Sequence, residues 1–456
     1  MSCLMETIRE AKPECQKIVD EMGDAATLSL MIRLAWQLSR ILAVSLVEET
    51  LNSRAQAPTE WGHCQICGRK LQSKGFAPRE VKSIIGLIRW QRRLGRCPKR
   101  CAIGQVAPLD EALGLKPNQK SDDGLRRIAC LTAIFVPFET AAMLLKELSQ
   151  VIVTPQSIWE WVQVAGEEMM NHLVAELATL KLGNEPEAEA LSATLAAETL
   201  LMGADGVMVP FRPQAKTAAG KTVWREIKVA IFARLGKHIT RAGQTMSRLH
   251  HHRVTAVLGD VDDLSERMWL EARKQDIKGA PRVVWLSDGG RGFWRLFAER
   301  FSASATGVLD FYHATQNLWS GVKVWLDGRT SQAKTWFHQA RHRLRHGQQD
   351  AVLADIQAAL AVPGLPESAQ QALTKLYNYL DKHREHIQYD KLKQAGLPIG
   401  SGLVESTCKW LIQQRFKGVG MRWSEDGFNH LLHLRLYWVN GRFDAFFPSA
   451  LASPKS

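Results

Sequence analysis

The sequence predicts a multidomain α+β chain, and three observations carry that prediction. From Leu200 to Leu235, LLMGADGVMVPFRP and VWREIKVAIFARL flank the polar loop QAKTAAGK, the pattern of a long β-hairpin. From about 258 to 325, short β-branched runs alternate with helix-period segments. From 326 to 395 only helical periodicity appears, the mark of an all-α insertion. At 456 residues the chain is long enough for roughly two to four domains. A formal net charge of +13 points to a polyanionic partner, because basic surface gains affinity from counterions released by a phosphate backbone.

Residues 1–60 read as an N-terminal helical region. Its dense apolar stretch, Leu28 to Leu38, suggests packing or self-association. The N-terminus is charged and lacks a signal-peptide core. No uninterrupted apolar run approaches the ~18 residues of a spanning helix; the longest, Ile128 to Phe138, breaks at Pro137. A cytoplasmic protein without a membrane partner is the expectation.

Residues 61–105 form a zinc-ribbon-like module. Cys64 and Cys67, then Cys97 and Cys101, offer two thiolate pairs for one tetrahedral structural Zn²⁺, with His63 an alternative for one ligand. The intervening VKSIIGLIRWQRR suits two strands. Arg89, Arg92, Arg93, Arg96, Lys99 and Arg100 crowd the second arm around Trp90 and are candidates for DNA-backbone contact.

Residues 106–197 read as a helix-turn-helix region and linker. GLRRIACLTAIFVPFETAAMLLKEL is one helical run and SQVIV a turn. Thr154 and Pro155 then open a second helix, with Ile158, Val162 and Ala165 on one face and Gln156 and Ser157 at its exposed start as DNA contacts. The acidic LGNEPEAEALSATLAA (182–197) reads as a linker or a solvated helix, and the main domain boundary falls there.

The catalytic domain follows in two parts, 198–325 and 396–456, around the insertion 326–395. Asp205 lies inside an apolar strand, where a carboxylate needs a partner. Asp288 ends the short strand RVVWLSD, Asp310 ends another with His313 three residues on, and Glu405 sits in the helix LVESTCKWLIQQRF. Hairpin, third strand, helix, strand, helix, strand, helical block, helix is the order of an RNase H-like fold. There the first and fourth strands adjoin, so Asp205 and Asp288 would face one another with Glu405 brought over them. Such a cluster repels unless cations enter, and two Mg²⁺ (or Mn²⁺) ions would let it activate a water or a 3′-hydroxyl for phosphodiester displacement. Gln413, Gln414, Arg415, Lys417 and Arg422 stand ready to grip phosphates.

GADG, WREIKVA, WLSDGG, DFYH, PIGSGLVEST and GMRWS together resemble the DDE transposases of bacterial insertion sequences, in particular the Kra-type group related to the Mutator-like superfamily. That resemblance implies a metal-binding triad at Asp205, Asp288 and Glu405, an active-site element at Asp310 and His313, and an N-terminal DNA-binding region. It also implies double-stranded DNA partners (terminal repeats and target) and a homo-oligomer assembled on DNA in the nucleoid. A metal-dependent nuclease or resolvase on the same fold, and a DNA-binding regulator derived from a transposase, are the alternatives.

Overall fold

The computed structural model describes residues 13–213 and 221–451; residues 1–12 of the expected helical region and most of the hairpin loop lie outside them. The chain divides into two compact units. One holds the residues up to Val162 and those from Asp444 onward, the other Gln163 to Phe443.

In the first unit, α1 (Pro13–Gly23) and α2 (Leu28–Gln56) pair through Ile18, Leu34 and Leu38. The Thr27 hydroxyl caps α2 by accepting from the Leu30 N–H (3.2 Å). Leu28, Ile32, Trp36 and Leu46 remain exposed, and α2 is long and apolar enough by composition to cross a membrane. The absence of a long uninterrupted apolar run still holds, because Arg33 and Arg40 interrupt the apolar pattern of this continuous helix. β1 (Gln72–Ser83) and β2 (Gly86–Arg96) form the expected antiparallel hairpin, which buries Val81 and Trp90 against Leu51 of α2.

The predicted long helix is in fact two, α3 (Asp123–Phe135) and α4 (Phe138–Ser149), because proline cannot continue a helix interior and Pro137 instead opens the second. After a turn, α5 (Pro155–Lys181) starts under its Thr154 cap and buries Ile158 and Val162 as the periodicity required. The boundary between units falls inside α5, not in the acidic segment. That segment is no free linker. Glu185 pairs with Arg273 and Lys278, and Glu189 with His251, Arg253 and Arg442. Burial opposes its charge, but hydrogen bonds from His251, Arg253 and Arg442 hold the Glu189 carboxyl far below the usual range. His251 and Arg253 are therefore held against Glu189.

The second unit is built on a five-stranded mixed sheet in the order β5-β4-β3-β6-β7. β3 (Thr199–Phe211) is central, antiparallel to β4 (Val223–Ile239), which is antiparallel to the edge strand β5 (Thr245–Val257). Beyond α6 (Val261–Lys274), β6 (Val283–Ser287) runs parallel to β3; beyond α7 (Arg291–Leu296), β7 (Thr306–Leu309) runs parallel to β6 and leads into α8 (Phe311–Trp325).

The segment 326–395 is all-helical among the described residues: α9 (Ser331–Arg345), α10 (Gln349–Leu360), α11 (Glu367–Lys382) and α12 (Tyr389–Gln394). Its Leu344, Ile356, Leu376 and Leu380 share one buried cluster with Trp285 and Leu286 of β6, so the insertion and the sheet have a common core. α13 (Gly402–Thr407) continues through a π-helical turn to Phe416, and α14 (Glu425–Val439) follows. Just past it, the Asn440 amide accepts from the Val254 N–H (2.8 Å) and donates to the Val254 carbonyl (2.9 Å), closing part of the β5 edge.

Candidate active site and metal centre

The parallel ladder between β3 and β6 runs from Leu200 opposite Val283 to Ala204 opposite Ser287. The ladder ends there, with Asp205 the next residue on β3 and Asp288 the first residue past β6, and the Asp288 charge acts on Asp205. Asp205 Oδ1 accepts from the Gly206 N–H (2.7 Å), and Asp288 Oδ1 from the Gly290 N–H (2.9 Å). The Trp294 indole donates to the Asp288 carbonyl (2.6 Å), which fixes the turn. Gly289 is required in that turn: a Cβ would enter the Tyr379 ring of α11. The insertion thus seats one of the two acids. Burial raises the Asp205 pKa, and Asp288 and then Glu226 raise it further. Glu226, whose carboxylate lies over Gly206 and pairs with Lys228 (2.5 Å), is an acid near the site that the sequence reading missed. Only the hairpin register, Met208 opposite Glu226, would have pointed to it.

Asp310 caps α8, accepting from the His313 N–H (2.7 Å), and its other oxygen takes the Ser401 N–H. The PIGSG loop is thereby tied to the start of α8, aided by the Phe311 N–H to the Ile399 carbonyl (2.8 Å). Burial pushes the Asp310 carboxyl up, but hydrogen bonds from His313 and Ser401 outweigh it and hold the pKa at about 2. His313 is raised chiefly by its bond to Asp310, and the charges of Asp288 and Asp205 add to this. The imidazole thus lies within the field of the two acids, which favours its protonated form.

A stability prediction follows from these shifts. A carboxylate depressed from 3.8 to about 2 contributes roughly 2 kcal/mol above pH ~4, which is lost as pH falls through 2. The raised His313 contributes below pH 6.5 and loses its share as pH rises through its folded value. Asp310→Asn should lower the melting temperature most near pH 5 to 6, with the gap to wild type narrowing at both extremes in a pH series of thermal melts. A constant gap would refute it.

Glu405 lies on α13, which crosses β3 so closely that a Cβ at Gly203 would meet Val404. Its carboxylate is 60% exposed and pairs with Lys409 (2.8 Å) rather than with Asp205. Cys408, buried on the inward face of the same helix, places Sγ 4.0 Å from Asp205 Oδ2. Asp205, Asp288, Asp310 and His313 are thus drawn together, and Glu405 is on the helix above them with its side chain turned outward. An exposed i,i+4 pair is worth only ~0.3–0.5 kcal/mol, so little holds it there.

The four cysteines do converge. The Sγ atoms of Cys64, Cys67, Cys97 and Cys101 all lie within 4.8 Å of one another, with Cys67 and Cys97 at 3.4 Å, and could hold a zinc ion. Ligands ~2.3 Å from a tetrahedral zinc would stand roughly 3.8 Å apart. His63 is exposed and outside this cluster, which leaves a four-thiolate set.

The basic arm divides. Arg92 binds buried Asp110, beside Arg79 at 3.7 Å, and Arg93 donates to the Ala55 and Gln56 carbonyls (both 3.2 Å) and covers Phe76. These two are committed internally and are corrected as phosphate contacts, because a buried carboxylate and two helix-end carbonyls claim them. Arg89, Arg96, Lys99 and Arg100 are exposed, although Arg89 reaches Glu80 (3.6 Å). Arg415 is likewise buried and stacked over Trp423, whereas Lys417 and Arg422 are exposed. Gln156 bonds Glu160 (3.1 Å) and Ser157 bonds Thr154 (3.0 Å) at the start of α5. Replacing Arg89, Arg96, Lys99 and Arg100 by Ala should flatten the salt dependence of DNA binding by roughly 0.9 per lost contact. Arg92→Ala should instead destabilise the unit by about 3–5 kcal/mol, because it strips a partner from a buried carboxylate. An unchanged salt slope in the fourfold variant would refute the assignment.

No family model matches the chain, and no curated protein sequence does. Among solved structures it is similar to a Drosophila P element transposase strand transfer complex, with a TM-score of 0.33 and 10% identity over 72% of this chain and 94% of that one. At that score the likeness decides nothing about this chain.

Proposed function

We propose that the protein is a DDE-type transposase of a bacterial insertion sequence, with an RNase H-like catalytic domain acting on the DNA ends of its own element. What supports this reading is that Asp205, on the central strand β3, and Asp288, just past the parallel strand β6, each directly follow the last pair of that ladder, Ala204 with Ser287, and that the Asp288 charge acts on Asp205. Two Mg²⁺ (or Mn²⁺) ions bound there would supply charge stabilisation and a nucleophile for phosphodiester displacement. Asp205 and Asp288 would hold them, with Glu405 turned inward from Lys409 as the third ligand. His313, whose pKa the bond to Asp310 raises, would orient a phosphate oxygen. A zinc ion on the four cysteines would brace the first unit, whose exposed cations and helical pair would hold the terminal repeats in a cytoplasmic, nucleoid-bound homo-oligomer.

The test uses duplex DNA taken from the flanks of the gene, with Mg²⁺, and follows both nicking and joining to a second duplex. Nicking without joining would make the protein a nuclease or resolvase. Binding without either would make it a regulator.

A further inference from the structure

A cavity of about 1040 Å³ opens immediately beyond Asp288, between the turn at Gly289, α8 and the insertion helix α11. Arg291, Lys375 and Lys382 line it, together with Asn317, Gln371 and Asn378, and no carboxylate is among its lining residues. The Asn317 amide donates to the His313 carbonyl (3.0 Å) and the Gln371 amide to Glu367 (3.0 Å), which leaves their amide oxygens and Asn378 to meet a ligand. None of the three cations has an ion-pair partner among the described residues. A smaller cavity of about 630 Å³ shares Arg291, Lys382 and His383 with the first. His383 is only 3% exposed, its Nδ1 has no hydrogen-bond partner, and Trp294 lies against its ring (centroids 4.6 Å apart). Burial lowers the His383 pKa to about 4, so the ring is neutral near pH 7 and offers a ligand one acceptor and one donor.

Three unpaired cations without an acid favour an anion. The size of the cavity exceeds what one phosphate fills and falls in the range of small-molecule sites. Amide side chains are the groups that read the edge of a base, and Asn or Gln pairs bidentately with adenine. We propose that this cavity binds a nucleotide, with its phosphate against Arg291 and Lys382 and its base among the amides of α8 and α11. Resting on the function proposed above, the natural source is a nucleotide everted from the strand held at Asp288. Eversion costs a few kcal/mol in a duplex and least at a strand end. A free nucleoside phosphate has the same chemistry, and the test separates the two sources.

The full-length protein is titrated into a single-stranded oligonucleotide carrying 2-aminopurine near its end, and separately into dATP. Eversion into the cavity raises 2-aminopurine fluorescence on binding; a site for free nucleotide instead gives saturable dATP binding with no such rise. In either arm, Lys375→Glu and Lys382→Glu should each weaken the signal about tenfold or more, as expected for loss of a charge-assisted hydrogen bond, while Lys382→Arg retains it. Asn378→Ala should weaken it without changing the salt dependence. Absence of both signals in protein that still binds duplex DNA overturns the proposal, as does a signal indifferent to both charge reversals. If the wild-type protein nicks DNA while neither probe binds, only the cavity assignment falls. If it binds a probe but never nicks, the transposase reading falls and the cavity stands.

Discussion

Asp205→Asn should abolish strand cleavage and, in metal-free buffer, raise the melting temperature. Both effects have one cause. Burial and the neighbouring Asp288 and Glu226 charges raise the Asp205 pKa, so ionising it opposes folding at neutral pH. A folded pKa above the unfolded one means that stability is lost as pH rises past 3.8, and the neutral amide avoids that loss. The same amide cannot hold a divalent cation. Changes to outer-shell partners of metals already cost 10–100-fold, so replacing a direct ligand should cost more than ~100-fold in rate. Asp288→Asn should cleave as poorly, and Mg²⁺ should stabilise wild type but neither variant. A structural acid would behave the other way, with a lower melting temperature and activity falling only with the folded fraction. Glu405→Gln is the sharper case, since the carboxylate sits in an exposed pair with Lys409. If this variant cleaves at a near wild-type rate, the third ligand lies elsewhere. Glu226 over Gly206 is then the first candidate, because Asp310 is already spent on His313 and Ser401.

Removing zinc should have the second large effect. A structural zinc contributes about 10–16 kcal/mol to small metal-organised modules, and the cluster of Cys64, Leu71 and Cys97 is small. One zinc per chain should be found by elemental analysis. A strong chelator, or Cys97→Ser, should open the segment 61–105 to protease and weaken DNA binding. The second unit should keep its melting transition, having its own core. Freshly purified protein without bound metal, or a proteolysis pattern indifferent to chelation, would remove the zinc from this account.

The parts of this architecture that depend on local periodicity could be read from the sequence. The β3–β4 hairpin shows in its alternation, α5 in its Thr154 cap and apolar face, and the cysteine module in its two short spacings. Asp205 stood out because a charge interrupts an apolar strand. What depends on partners distant in sequence could not be read. Glu226 approaches Asp205 only through a register set across a long loop. Arg92 looked like its exposed neighbours until Asp110, 18 residues on, claimed it. The acidic segment looked like a linker because Arg253, Arg273 and Arg442 that bind it come much later in the chain. Glu405 is different, because its partner Lys409 is an i,i+4 neighbour that the helix period itself puts within reach.

Asn440 gives the sheet a property measured in seconds. An open strand edge is a template for pairing with other chains, and β5 is an edge whose Val254 groups are closed by a side chain 186 residues later. At 5–20 residues per second, synthesis leaves that edge open for roughly 10 to 40 s on every new molecule. During that interval the nascent chain is most exposed to a neighbouring copy on the same message. The yield of soluble protein should therefore depend on how quickly the ribosome travels from β5 to the end of α14, a stretch that contains the entire insertion.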